Sequence, residues 1–294
     1  MRIFVTGVNG QLAHSLADVL AAQGDSTATF LGRPTFDLTE YNSAEKIAVS
    51  AQPDVIINAA AYTAVDKAEA EPELAFAINA NGAAAMARAA RTLDIPLIQI
   101  STDYVFSGAK TSAYIEADDT EPLGVYGHSK LAGEEAVRSI TDRHYILRTS
   151  WIYSAYGANF VRTMIRLGQE RKNVNVVDDQ FGCPTFAEDL ASAIVTVCRK
   201  IKNEQGNYGT YHAAGQGVTS WADFAREIFA LQSQTHQSVP TVTSIPTSQY
   251  PTAAKRPTNS VLDCQKLYDV FGLLLPNWQD SLKKCLTTLQ QPPV

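Results

Sequence analysis

Short β-rich runs alternate with longer Ala-rich stretches through the first 150 residues, and this alternation does most to narrow the folds open to the chain. The runs are Ile3 to Thr6, Thr27 to Leu31, Val55 to Asn58, Leu97 to Ser101 and His144 to Thr149. Between them, Gln11 to Gln23, Ser43 to Ala51, Glu73 to Leu93 and Ser129 to Ile140 carry apolar residues at three- and four-residue spacing, the period of a helix packed along one stripe. Pro53 and Pro96 sit in the turns after two of these helices. Strand and helix in this repetition build a parallel sheet covered on both faces, so the expected fold class is α/β, a Rossmann-type doubly wound parallel sheet.

After Trp151 the pattern loosens. A helix is expected near Asn159 to Arg171, a strand near Val174 to Val177 and a helix near Ala187 to Lys200, whereas the Thr-, Ser-, Pro- and Gln-rich stretch from Gln232 to Pro257 reads as ordered loop. The expected division is a sheet domain over 1–150, with elements near 172–200 returning to it. Residues 151–171 and 201–294 then form a smaller C-terminal cap. A cap over the carboxyl edge of a parallel sheet is where a substrate pocket forms.

Composition excludes several classes of function. No run of 18 apolar residues is present, so no membrane span is expected. Met1 and Arg2 lead straight into a β-like run with no room for the apolar core of a signal peptide, which makes the cytoplasm the expected location. A net charge of -6 with scattered cations offers no footprint for phosphate backbones, and nucleic acid is not expected as a partner. The four cysteines, Cys183, Cys198, Cys264 and Cys285, form no Cys-x-x-Cys pair and read as reduced thiols. His14, His128, His144, His212 and His236 lack metal-ligand spacing.

The chemistry concentrates at the ends of the expected strands. Gly7-Val8-Asn9-Gly10-Gln11-Leu12-Ala13 follows the first strand and opens the first helix, where a glycine-rich turn brings a pyrophosphate onto backbone N–H groups. Gly7 allows the tight turn, Gly10 the close approach and Ala13 the packing of helix on strand. The second strand ends in Leu31-Gly32-Arg33, where an NAD-preferring site offers an acid to the ribose 2′-hydroxyl. Arg33 points instead to a 2′-phosphate and to NADPH, with NADH left open. Asp37 and Leu38 are candidates to line the adenine. Asn58-Ala59-Ala60-Ala61-Tyr62 closes a buried strand with small side chains against which a cofactor can lie. Tyr126 and Lys130, four apart, share one helix face. An ammonium beside a phenol favours the phenolate, which makes Tyr126 a candidate acid or base. Ser101-Thr102-Asp103, at the end of a preceding strand, can bring hydroxyls to the same point.

With these motifs the chain resembles the extended short-chain dehydrogenase/reductases over almost its whole length. The likeness rests on Thr6-Gly7-x-x-Gly10-Gln11-Leu12, Asn58-Ala59-Ala60-Ala61-Tyr62-Thr63-x-Val65-Asp66-x-Ala68-Glu69, Ser101-Thr102-Asp103-Tyr104-Val105-Phe106 and Val125-Tyr126-Gly127-x-Ser129-Lys130. It continues through Arg148-Thr149-Ser150-Trp151, Asn159-Phe160, Asp179-Gln180-Phe181-Gly182-x-Pro184-Thr185 and Arg256-Pro257-x-Asn259-Ser260. The resemblance implies an NADP(H)-binding domain and an NADPH-dependent reduction of the C4 ketone of dTDP-4-dehydro-L-rhamnose, the last step of a nucleotide-sugar pathway feeding surface polysaccharides. In that reading Tyr126 protonates the C4 oxygen, Lys130 holds the nicotinamide ribose and Thr102 hydrogen-bonds the reacting oxygen. Asp103, Val105 and Trp151 shape the sugar pocket, and Arg256 meets the diphosphate. Some members carry a glutamate in the first helix that joins a magnesium site between subunits. Ser15 stands there in this chain, and Glu188, which matches a second such residue, makes a poor magnesium site alone, so no metal is expected. Monomer and homodimer both stay open. Two rivals share the fold: a reductase or epimerase of another 4-keto nucleotide sugar, and a non-catalytic regulatory subunit like the β subunit of methionine adenosyltransferase.

Overall fold

The computed structural model describes residues 1–24, 26–203, 206–233 and 239–290. The first half runs β1 (Arg2–Thr6), α1 (Gln11–Gln23), β2 (Thr27–Leu31), α2 (Tyr41–Ser50), β3 (Val55–Asn58), α3 (Val65–Ala68), α4 (Pro72–Phe76), α5 (Gly82–Leu93), β4 (Leu97–Thr102), α6 (Val125–Ile140) and β5 (His144–Thr149). The second half runs β6 (Ile152–Tyr153), α7 (Phe160–Glu170), β7 (Asn173–Val177), β8 (Phe181–Gly182), β9 (Thr185–Phe186), α8 (Ala187–Asn203), β10 (Gly209–His212), β11 (Thr219–Ser220), α9 (Trp221–Ser233), β12 (Thr241–Ile245), α10 (Gln265–Phe271) and α11 (Trp278–Gln290).

One six-stranded sheet, in the order β10-β5-β4-β3-β1-β2, organises the molecule, and every pairing in it is parallel. Alternating side chains divide between its two faces. Ile3, Val5, Val55 and Ile57 face a core built with Leu12, Leu16, Leu190 and Ile194 of α1 and α8. Phe4, Ile56, Leu97 and Ile146 face the opposite core, filled by Ala44 and Ala48 of α2, Met86 and the alanines of α5, and Val137 of α6. The chain leaves β1 toward β2 on one side and returns to β3 on the other. The carboxyl ends of β1 and β3 therefore flank the crevice at which doubly wound sheets bind ligands.

Four elements differ from the sequence expectation. The helix expected over Glu73 to Leu93 is interrupted by one π-helical turn, Ala77–Asn81, between α4 and α5. Such turns cluster at functional sites because they re-aim a side chain without ending the helix. Here Asn79 is re-aimed: its Oδ1 accepts from Tyr62 N (2.8 Å), and its Nδ2 donates to Tyr62 O (3.1 Å) and Ser129 Oγ (2.9 Å). Gly209–His212, placed with the cap by sequence, is the edge strand of the main sheet, paired with β5. β7, expected to return to that sheet, pairs instead with β12. β12 lies within the stretch read as loop, of which residues 234–238 fall outside the described residues.

β6, α7, β7, β9, α9, β12 and α11 surround a separate apolar cluster that includes Tyr153, Val161, Met164, Phe186, Phe224, Ile228, Trp278 and Leu282, whereas α10 packs on the sheet core through Leu267 and Phe271. All four cysteines are buried and unpaired. His212 is fully buried, while His236 falls outside the described residues. Ser15 is buried in α1, and among the described residues no group of three or more His, Cys, Asp or Glu is placed to hold a metal ion. Among the same residues no helix is long and apolar enough to cross a membrane.

Candidate active site

A cavity of about 700 Å³ opens at the crevice between β1 and β3 and extends under the second half of the chain. Its floor begins at Gly7, whose φ of +85° belongs to the left-handed region that glycine enters freely. A Cβ at Gly7 would lie 2.9 Å from Ala60 Cα, so only glycine fits the turn against the small-residue segment after β3. That segment is fixed by a buried polar ladder across three strands. Thr6 Oγ1 donates to Asn58 Oδ1 (2.6 Å) and accepts from Ala60 N (3.0 Å), and Asn58 Nδ2 donates to Gln99 Oε1 (2.7 Å). Sequence reasoning missed Thr6, Gln99 and Asn79 as supports because each acts through a partner far along the chain.

The N-terminus of α1 has neither a side-chain cap nor an acid in its first turn. Its backbone N–H groups face the cavity edge where Gly7, Gly10, Gln11 and Leu12 line the wall, an arrangement suited to an anion. Arg33 stands exposed at the rim beyond β2, and Asp37 and Leu38 continue the wall. Asp37 Oδ1 accepts from the backbone and hydroxyl of Thr39, both at 2.9 Å, so this acid braces the loop. Ala59, Ala60 and Ala61 complete the floor. A pyrophosphate cradle, a small-residue floor and a cation at the rim fit a dinucleotide with a 2′-phosphate.

Tyr126 and Lys130, on the first turns of α6, reach the inner end of this cavity together with Thr102 at the end of β4. Lys130, 4% exposed, donates from Nζ to Ile100 O at 2.7 Å, and burial lowers its pKa to about 8. Tyr126 is half-buried and meets Tyr104 edge to face at 5.8 Å. Its surroundings push the phenol up to about 12 by desolvation, against a lowering hydrogen bond with Thr102. The ammonium is held by the Ile100 carbonyl, and desolvation dominates at the phenol. One turn further along α6, fully buried Glu134 accepts from Ser101 Oγ (2.6 Å) and from Arg148 (2.9 and 2.7 Å), which fastens the end of β4 to the helix bearing Tyr126.

The opposite wall is aromatic. Trp151 adopts φ +48° and stacks face to face on Trp221, ring centroids 3.4 Å apart and planes within 5°. Left-handed backbone at a bulky residue is costly and persists where packing over-determines it. Gln11 joins the two walls, because its Oε1 accepts from Ser154 Oγ (3.0 Å) and from Nδ2 of Asn159 (2.9 Å), the N-cap of α7.

Of the site residues expected from sequence, three are absent from the cavity wall. Tyr62 directs its hydroxyl to Glu71 (2.6 Å). Val105 is fully buried in an apolar cluster with Phe106, Tyr114 and Val261, behind the cavity wall. Arg256 is bidentate to Asp66, at 2.7 and 3.2 Å. Phe36 and Trp221 line the cavity without having been singled out, and so do Asn9, Thr63 and Asn159, which stand in the quoted motifs without a role of their own.

Residues 1–291 match the family model described as RmlD substrate binding domain. The chain belongs to this family. A dTDP-4-dehydrorhamnose reductase of Sinorhizobium fredii is 47% identical over 291 residues, 98% of each chain. Among solved structures, a dTDP-4-dehydrorhamnose reductase of Clostridium acetobutylicum is 38% identical with a TM-score of 0.93, covering 99% of this chain and 100% of that one. A dTDP-4-dehydrorhamnose reductase of Bacillus anthracis, solved in complex with NADP, is 36% identical with a TM-score of 0.90, covering 98% and 99%.

Proposed function

We propose that the protein reduces the C4 ketone of dTDP-4-dehydro-L-rhamnose with NADPH and releases dTDP-L-rhamnose, the last step of dTDP-rhamnose synthesis. The observation that carries this reading is the meeting of Thr102, Tyr126 and Lys130 at the inner end of a cavity that begins at the Gly7 turn. NADPH, when bound, supplies the hydride. Gly7, Gly10, Gln11 and Leu12 hold its pyrophosphate, Arg33 its 2′-phosphate and Lys130 its nicotinamide ribose.

Tyr126 supplies the proton. Its raised pKa keeps the hydroxyl protonated at neutral pH, and it transfers its proton only as negative charge develops on the C4 oxygen. Thr102, whose hydroxyl donates to Asp103 Oδ1 in the ligand-free protein, turns that hydroxyl to the same oxygen, so the developing alkoxide meets a second donor. Trp151, with Trp221 behind it, and Asp103 bound the sugar. For Arg256 to reach a diphosphate, its guanidinium must exchange Asp66 for the phosphate oxygens, a substitution that matches its planar fork. The sheet domain with α8 serves the dinucleotide, and the elements around Trp151 and Trp221 serve the sugar.

The test is NADPH absorbance with dTDP-4-dehydro-L-rhamnose generated in situ, and NADH in parallel. Rapid oxidation yielding dTDP-L-rhamnose, lost in Tyr126→Phe while NADPH binding persists, is the expected result. Full activity in that variant would sink the mechanism.

A further inference from the structure

The last residues of four adjacent strands form the carboxyl edge of the sheet beneath the cavity: Thr6 of β1, Asn58 of β3, Thr102 of β4 and Thr149 of β5. Three of these side chains are engaged, Thr6 with Asn58 and Ala60 N, Asn58 with Gln99, and Thr102 with Asp103. Thr149 differs. It is 4% exposed and lines the cavity, yet its Oγ1 is buried and has no hydrogen-bond partner among the described residues. A buried hydroxyl without a partner lowers stability, and a bound group that completes it recovers the loss.

Position identifies that group. Thr149 and Thr102 are register partners on adjacent parallel strands, so both side chains stand on one face of the sheet, about 5 Å apart. Ile100 and Ile152, which also line the cavity, pack with the core on that face. Across the sheet the groups assigned to the dinucleotide follow one another in strand order: Arg33 beyond β2, the Gly7 turn after β1, Ala59 to Ala61 after β3, and Lys130 against Ile100 of β4. In the reading above, Arg33 takes the 2′-phosphate, the Gly7 turn the pyrophosphate and Lys130 the nicotinamide ribose. β5 is the next strand, which leaves its end for the nicotinamide ring.

We infer that Thr149 Oγ1 binds the carboxamide of the nicotinamide ring and so fixes which face of the ring is turned to the sugar. The inference rests on the dinucleotide reading proposed above. The carboxamide is the ring's one polar substituent, and it carries no charge. A threonine hydroxyl matches it, because one oxygen can accept from the amide N–H or donate to the amide oxygen. Ile100 and Ile152 offer apolar contact to the rest of the ring. Ser150 cannot take the place of Thr149, because its hydroxyl donates to the Cys183 carbonyl at 2.7 Å. The sugar belongs to the other side, where Trp151 and Trp221 form the wall opposite the sheet edge.

The experiment is calorimetric titration of the unaltered protein, Thr149→Val and Thr149→Ser with NADPH and with 2′-phospho-ADP-ribose, which lacks the nicotinamide. Valine keeps the shape of threonine and removes the hydroxyl. NADPH affinity should fall about fivefold in Thr149→Val, the contribution of one uncharged hydrogen bond, and recover in Thr149→Ser. 2′-Phospho-ADP-ribose should bind all three proteins alike. Ligand-free Thr149→Val should melt no lower than the unaltered protein, because the hydroxyl it loses has no partner to leave behind. Equal losses with both ligands, no loss with either, or a Thr149→Val protein that does not fold would overturn the role. Unchanged NADPH affinity with weaker binding of dTDP-L-rhamnose would overturn it too, by giving the hydroxyl to the sugar. None of these titrations needs turnover, so an unaltered protein that binds NADPH but does not reduce the sugar overturns the proposed reaction and leaves this test standing.

Discussion

The backbone N–H of Val125 donates to Glu69 Oε1 at 2.8 Å, so the helix that carries Tyr126 and Lys130 is capped by a side chain from the end of α3. The helix has no cap of its own: Gly124 at its N-cap offers no side chain, and its first turn contains no acid. The carboxylate also lies at the positive end of the α6 dipole. Its neighbour Asp66, three residues earlier, holds Arg256 and the Ala254 backbone N–H. One short segment thus registers the helix bearing Tyr126 on one side and the 254–256 strap on the other.

Replacing Glu69 with alanine should lower stability by about 1 kcal/mol, the usual cost of a lost cap. It should reduce kcat more than it changes NADPH affinity, because the first turn of α6 carries Tyr126. Glu69→Gln retains the acceptor and should recover most of both. Denaturant midpoints and initial rates on the three proteins decide the matter, and equal kcat in Glu69→Ala would show that the cap does not position the site.

His212 should make the protein acid-sensitive. Its Nδ1 faces the Tyr114 and Asp263 carbonyls, both at 3.1 Å, and so carries the proton of a neutral ring, while Nε2 is buried without a partner. Desolvation first, and then Arg148, push its pKa from 6.5 down to about 3. Above 6.5 the folded and unfolded states are both neutral. As pH falls below 6.5 the unfolded chain binds a proton that the folded protein refuses, so stability declines steadily toward pH 3. His212→Asn keeps a donor for the carbonyls and removes the titration. Its denaturant midpoint should fall less steeply between pH 7 and 4.5, and parallel slopes for the two proteins would contradict this account.

Gly182 should affect the sugar and leave the dinucleotide alone. A Cβ there would lie 2.4 Å from Trp151 Cε2, inside any real contact, and the indole cannot retreat because Trp221 backs it. Gly182→Ala should therefore displace the aromatic wall and raise KM for the nucleotide sugar about tenfold or more, with NADPH affinity unchanged. Isothermal titration with NADPH and steady-state kinetics with the sugar separate the two effects. Equal losses in both would mean that the substitution disturbs the whole fold.

The parallel sheet was readable because its inner strands are buried on both faces and appear as uninterrupted apolar runs such as Val55–Asn58. Gly7, Thr102, Tyr126 and Lys130 were readable because each belongs to a local motif at a strand or helix end. What escaped was pairwise and distant. Gly209–His212 is too short to announce a strand without β5 beside it. The one-residue excess of the Ala77–Asn81 turn vanishes in an alanine-rich helical period. β12 hides among threonine, serine and proline because it is an exposed edge whose register is set by β7. The engagement of Arg256 by Asp66 spans 190 residues, and no local pattern encodes it.

The tryptophan stack has an optical consequence. The chain contains three indoles: Trp151 and Trp221 lie in van der Waals contact on the aromatic wall of the cavity, and Trp278 lies in the apolar cluster beneath. Two chromophores that close and that parallel couple their transition dipoles, so the near-ultraviolet circular dichroism and emission of the native protein carry the signature of that pair. Any occupant that shifts one ring against the other is therefore reported without a label, and the aromatic wall of the cavity doubles as its own spectroscopic probe.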